Sequence, residues 1–316
     1  MRHVAGSWGF IDIPNERSAH LKQIPRGAGI GFFLAVAVVL PLFYAELLLS
    51  YIWTIIAITF VFIVGVLDDH RDISPKVKFI VLTLATLILA FDDILIRDLG
   101  IFFGFHISLG WVALPFTIFA VVSFTNALNL IDGLDGLAGI VSLVILTTFF
   151  FVGYKHEDFF IMLISASFVA SLLAFLIFNW SPASIFMGDS GSLTLGFIIS
   201  ILAIRSLVYI PAVSILFITA IPIFDTVIVV TRRIRDGKAV FLGDHYHMHH
   251  ILRGFFAKNT RKTVFVLGSM QVTYSIIGVS LDKNIDEGSF LILFVLNTVI
   301  LYLFLNAMIR REKKEC

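Results

Sequence analysis

An all-α, polytopic integral membrane protein with about ten transmembrane helices is the fold class this sequence predicts, and three observations predict it. Of 316 residues, 59% are hydrophobic and only 14% charged, whereas soluble domains are nearer half apolar. Mean hydropathy is +0.98. The apolar residues fall in long, unalternating runs, which suit helices because a lone helix satisfies its own backbone in lipid. The single cysteine, Cys316, is the last residue and leaves no partner for an internal disulfide. A net charge of +1 carries no footprint of nucleic-acid binding. No cleavable leader is expected: the first long apolar run begins near Gly29, after a polar segment without a small-residue cleavage pattern. Residues 1–316 are therefore expected to form one membrane-embedded domain.

Residues 1–28 read as an amphipathic, loop-like segment containing Asp-Ile-Pro-Asn-Glu-Arg-Ser-Ala-His (12–20) and Pro-Arg-Gly-Ala-Gly (25–29). Arg17, Lys22 and Arg26 could meet phosphate there, although a basic segment before a membrane helix usually only sets orientation. Apolar windows long enough to cross a bilayer lie at roughly 29–46, 51–67, 77–93, 109–125, 137–153, 160–178, 192–208, 211–230, 263–281 and 289–309. Pro41, Pro115, Pro211 and Pro222 fall inside or at the ends of these spans and are expected to kink them. Both termini then share a face, and that face holds every Lys and Arg except Arg97, Lys155, Arg205 and Lys283. By the positive-inside rule it is the cytoplasmic one. The other face has short loops, the longest being about 92–108.

The polar motifs all fall on the basic face. Gly-Val-Leu-Asp-Asp-His-Arg-Asp (65–72) ends the second span, and Asn-Ala-Leu-Asn-Leu-Ile-Asp-Gly-Leu-Asp-Gly-Leu-Ala (126–138) ends the fourth. Phe-Asn-Trp-Ser-Pro-Ala-Ser-Ile-Phe-Met-Gly-Asp-Ser-Gly-Ser (178–192) joins the sixth to the seventh, Pro-Ile-Phe-Asp-Thr (222–226) lies late in the eighth, and Gly-Asp-His-Tyr-His-Met-His-His (243–250) follows Arg232, Arg233 and Arg235. Carboxylates at membrane depth cost several kcal/mol. Any one of these stretches can be a plain interfacial turn, but their recurrence on one side points to a site.

Asn129, Asp132 and Asp135 are three apart, which on a helix stacks them along one slowly turning face. Asp68, Asp69, Asp132, Asp135, Asp189 and Asp225, with Asn129, offer hard oxygen donors, the pattern that selects Mg²⁺ completed by phosphates and water. A zinc site from His247, His249 and His250 is the competitor, but it leaves the carboxylates without a purpose. Adjacent Asp68 and Asp69 repel, which suits a base or calls for a nearby cation. Gly188 to Gly191 opens the seventh span and could turn backbone N–H groups towards an anion. His245, His247, His249 and His250 beside the arginines suit a polyphosphate.

In order and spelling, these motifs resemble those of the polyprenyl-phosphate N-acetylhexosamine-1-phosphate transferases, a glycosyltransferase family 4 group, over nearly the whole chain. The resemblance implies a bacterial inner-membrane enzyme with a cytoplasmic active site that moves a sugar-1-phosphate from a UDP-N-acetylhexosamine to undecaprenyl phosphate and releases UMP. It implies Asn129 and Asp189 as Mg²⁺ ligands, with Mn²⁺ as a substitute. Asp68 or Asp69 would be the base, and Asp132 a residue structuring the site. Asp135 with Phe186 would form the uridine neighbourhood, and His247, His249 and His250 the diphosphate or sugar contacts. The His-Met-His-His spelling and the Pro-Arg-Gly-Ala-Gly start resemble enzymes that initiate O-antigen, common-antigen or teichoic-acid-type glycans with UDP-GlcNAc. The phospho-muramoyl-pentapeptide branch, the runner-up, usually has three consecutive histidines. Members usually carry a further membrane helix before the Asp-x-Pro string, whereas 11 residues precede Asp12 here. A homodimer is one assembly open to such a protein. The rival from another class, a multi-pass anion or metal transporter, predicts charges near mid-membrane and repeated halves; neither pattern is visible.

Overall fold

The computed structural model describes residues 10–12, 23–239 and 247–315; Arg17, Lys22 and His245 lie outside them. All ten apolar windows are helical. The chain runs through α1 (Ala28–Ser50), α2 (Ile52–Arg71), α3 (Pro75–Leu89), α4 (Ala113–Leu130), α5 (Leu137–Lys155), α6 (Phe159–Asn179) and α7 (Asp189–Ser206). It continues through α8 (Ala212–Ile218), α9 (Ala220–Arg235), α10 (Met248–Phe255), α11 (Thr260–Ser280) and α12 (Glu287–Glu315). Among the described residues, seven helices are long and apolar enough to cross a membrane, or up to eight if α8 and α9 together form one broken span.

Helix α7 is the axis of the bundle, packed against α1, α2, α4 and α5. Every residue from Ser190 to Ile204 is buried. Its small residues explain how: in membranes helices associate where Gly, Ser and Thr let backbones approach. A β-carbon on Gly65 of α2 would sit 2.7 Å from the Asp189 carbonyl oxygen, and one on Gly196 2.8 Å from Thr125 Cα of α4. Gly29 of α1 meets the Gly191 backbone more closely still. The hydroxyls of Thr194 and Ser200 donate to carbonyls one turn back, at 2.7 and 2.8 Å, so they are buried without cost to the apolar neighbours.

The window at 211–230 is not one straight span. α8 and α9 meet at 85°. Pro222 cannot supply an N–H to the helix, and the break would strand backbone groups in an apolar setting. Gln271 of α11 repairs it: its Oε1 accepts from Ile221 N at 3.1 Å and its Nε2 donates to the Ile218 carbonyl at 2.7 Å.

The two ends of the bundle differ. At the end away from the polar motifs, a hairpin pairs β3 (Asp98–Phe102) with β4 (Phe105–Ser108), and the Asp286 carboxylate accepts from Phe103 N and Gly104 N. Asp158, at 4% exposure, caps α6 at Ile161 N (3.1 Å) and takes Arg205 Nε (2.7 Å) and Tyr209 OH (2.9 Å). Arg205 lies over the rings of Tyr51 and Phe160. At the motif end, β1 (Ile11–Asp12) pairs antiparallel with β2 (Ile24–Pro25).

Candidate active site

Five helix ends converge: the last turn of α2, the start of α3, the turn between α4 and α5, the start of α7, and α10. Asn129 lies in the last turn of α4, but Asp132 and Asp135 lie in the turn at 131–136 rather than on a helical face. Gly136, at φ 81°, holds a left-handed conformation that ends the turn and starts α5. The expected stacked face is therefore replaced by a loop folded over the site.

The neighbouring aspartates of α2 divide sharply. Asp69, 2% exposed, accepts from Asp189 N at 2.7 Å and Ser190 N at 3.1 Å. It caps α7 from a different helix, and its charge sits at the positive end of that helix. The anion expected at Gly188 to Gly191 is thus the protein's own carboxylate. Gly188 has φ 74°, and a β-carbon there would lie 2.5 Å from the Asp69 carboxylate oxygens.

Asp68 accepts from Ile73 N and from Lys78 Nζ, both at 2.7 Å. The same ammonium reaches the Asp189 carboxylate, so one cation of α3 serves two carboxylates of α2 and α7. In the sequence, Lys78 is one more basic residue on the face expected to be cytoplasmic. Asn129 donates to Ser192 Oγ at 2.8 Å and lies within hydrogen-bonding reach of Asp189. Asp132 completes the group: burial, and then the charges of Asp189, Asp69 and Asp135, push its carboxyl well above the usual carboxylate range.

The second wall is built from the loop between α6 and α7. Asp135 accepts from Ala183 N at 3.1 Å. Asn179, unassigned by sequence, accepts from Gly136 N at 2.9 Å and donates to the Ile185 carbonyl at 2.8 Å, tying the two loops together. The 25–29 string threads alongside, with Phe186 N donating to Pro25 O at 2.8 Å and Ala28 N to Phe186 O at 3.1 Å. Arg26 thereby stands next to Phe186 and pairs with Asp72 at 3.4 Å.

The third wall is α10. His247 Nδ1 is 2.6 Å from Asp225 Oδ2, and Asp225 Oδ1 accepts from Met248 N at 2.5 Å. Asp225 is therefore committed to α10 and does not join the other carboxylates. His249 presses against the α4–α5 turn: a β-carbon on Gly133 would sit 2.7 Å from its Nε2. Burial pushes His249 down to about 3, which keeps the ring neutral, and neither ring nitrogen has a protein partner. The His250 ring lies tilted against His249, with centroids 4.3 Å apart.

Among the described residues no three His, Cys, Asp or Glu side chains surround a common point as a metal cage. Mg²⁺ uses one or two carboxylates and fills its remaining positions with water and phosphate oxygens. Asp189, with Asp68 and Asn129 beside it, is a donor set of that kind.

A membrane-embedded helical protein with a carboxylate cluster at one end, flanked by a histidine helix, is built to handle phosphates at a bilayer edge. Residues 51–207 match the model of glycosyl transferase family 4. The chain is 33% identical to a probable undecaprenyl-phosphate N-acetylglucosaminyl 1-phosphate transferase of Bacillus subtilis, over 94% of this chain and 84% of the relative. It is 31% identical to the undecaprenyl-phosphate alpha-N-acetylglucosaminyl 1-phosphate transferase of Haemophilus influenzae, over 88% and 82%. It is 32% identical to a phospho-N-acetylmuramoyl-pentapeptide-transferase of Streptococcus agalactiae, over 72% and 75%. The protein belongs to glycosyl transferase family 4, as a multi-pass membrane enzyme of the sugar-phosphate transferase kind.

Proposed function

We propose that the protein transfers N-acetylglucosamine-1-phosphate from UDP-N-acetylglucosamine to undecaprenyl phosphate, releasing UMP, as the first membrane step of a cell-surface glycan. The observation that carries this reading is the convergence of Asp68 and Asp189 on one ammonium, Lys78, with Asp132 within reach of the Asp189 and Asp69 charges. The relatives from Bacillus subtilis and Haemophilus influenzae, whose names give undecaprenyl phosphate and N-acetylglucosaminyl 1-phosphate, support the choice of acceptor and of transferred group. The Lys and Arg distribution supports a cytoplasmic site in a bacterial inner membrane.

In the proposed reaction an oxygen of the lipid phosphate attacks the sugar-bearing phosphorus of the donor. The bond from that phosphorus to the bridging oxygen breaks, and UMP leaves with the electron pair. One phosphoanhydride replaces another. Asp189 and Asn129, with Asp68 alongside, would hold Mg²⁺, which spreads the negative charge of the diphosphate when bound. Asp68 would take the proton of the acceptor phosphate, since a shift of Lys78 towards phosphate frees its Oδ2, whereas Asp69 spends both oxygens on backbone N–H groups of α7. Lys78 would move from bridging two carboxylates to balancing the incoming phosphates. His247, His249 and His250 would line the diphosphate and sugar, and Asp135 and Phe186 the uridine, with Arg26 at the rim.

The relative from Streptococcus agalactiae keeps a UDP-muramoyl-pentapeptide donor as the second reading. Purified protein with undecaprenyl phosphate and Mg²⁺ is offered each UDP-sugar in turn while UMP is measured. UDP-N-acetylglucosamine should support release; release only with the muramoyl-pentapeptide donor would replace this reading, and release with neither would remove it.

A further inference from the structure

The α9–α10 contact supplies a role that neither the metal nor the substrate chemistry uses. Asp225 is 1% exposed and His247 7%. A carboxylate can only accept, so the 2.6 Å contact at Nδ1 requires that nitrogen to carry the hydrogen. Nε2 is then the atom left for the site. The second Asp225 oxygen accepts from Met248 N, the first N–H of α10, one of the donors that a helix start leaves without an internal partner. One side chain therefore sets both the ring's tautomer and the beginning of the helix that carries His249 and His250. The ring planes of His247 and His249 are nearly parallel, with centroids 5.5 Å apart, and His249 abuts Gly133. His247 is consequently held at the edge of the carboxylate turn.

We infer that Asp225 is a positioning residue that fixes the His247 tautomer, so that Nε2 of His247 faces the phosphates of the sugar nucleotide. The inference rests on the proposed transferase reading. A purely structural Asp225 would support α10 alone, and a double-mutant cycle separates the two.

Asp225→Asn keeps an oxygen for Met248 N but offers Nδ1 an NH₂ group, which drives the ring hydrogen to Nε2. Asp225→Asn should fold with a Tm close to that of the parent and lose about 10²–10⁴-fold in kcat, with KM for the UDP-sugar little changed. His247→Ala should lose a similar factor. Asp225→Asn added to His247→Ala should then cost nothing further, because the interaction it acts through is already gone. Equal losses in both backgrounds, normal turnover in His247→Ala, or failure of Asp225→Asn to fold beside a stable His247→Ala would each overturn the inference. Wild-type UMP release, measured in the same assay, tests the transferase reading separately.

Discussion

The bundle has a buried aspartate site at each end, and the two are opposites in charge arithmetic. At the far end Asp158 meets one guanidinium and one phenol, and every oxygen is used: Arg205, Tyr209 and the α6 cap account for it. At the site end Asp68 and Asp189 share the single ammonium of Lys78, and Asp132 crowds in without a cation of its own. The far end is also covered by aromatic rings, with Arg205 lying over Tyr51 and Phe160. A satisfied network stabilises; an under-neutralised one waits for a cation and a ligand. The proposed transfer uses the end where the negative charge is in excess.

The largest expected effect tests that contrast directly. Asp189→Asn should lower UMP release by about 10³-fold, with the folded yield retained. Near-normal release at limiting Mg²⁺ would remove Asp189 from the metal assignment. Next comes the adjacent pair. Asp68→Asn should lose about 10²–10⁴-fold in kcat, read from pH–rate profiles. Asp69→Asn should instead cost about 1–3 kcal/mol of stability by leaving an α7 N–H without its acceptor, read from the thermal midpoint. An exchange of these two phenotypes would invert the base assignment.

At the far end, Asp158→Ala should cost about 2–4 kcal/mol: removal of one partner from a buried pair is strongly destabilising, and the partial exposure of Arg205 screens some of it. Turnover per folded molecule should not change; a rise in KM would make the two ends less distinct than drawn here. The smallest effect carries the opposite sign. Asp132→Asn removes a carboxyl that burial and three like charges hold well above its ordinary range. A raised acid gives its full stability below the ordinary carboxylate value and loses it progressively as pH rises from there to the folded value, so the gain from the amide should grow over that window and then level off. The Asn variant should melt a few degrees higher than the parent at alkaline pH while turning over more slowly. A lower midpoint at every pH would show that the carboxyl is satisfied after all.

The apolar runs made the helices legible, because the lipid requirement acts residue by residue along the chain. The location of the site was legible for the same reason: Asp68, Asp69, Asn129, Asp132 and Asp189 all interrupt apolar runs at one face. Their division of labour was not legible. Asp69 looks like Asp68 in the sequence, and only the approach of α7, 120 residues further on, turns it into a cap. Lys78, Asn179 and Gln271 act through partners that local pattern cannot specify. Asp225 read as one more hard oxygen ligand until α10 claimed it. The 85° bend between α8 and α9 had a local sign in Pro222, but the glutamine that makes it tolerable lies on another helix.

The glycines at the α7 crossings make the site a matter of mechanical tolerance. Asp189 is carried on the first turn of a helix whose backbone touches the backbones of α1 and α2 where Gly29 and Gly65 leave no side chain. A methyl group at either place has no flexible neighbour to displace, so α7 must shift, and the end that carries Asp189 shifts with it. A misplacement of about 1 Å can cost about 10²-fold in rate. The least forgiving positions of this enzyme are therefore ones that perform no chemistry, and its precision is set by atoms that are missing.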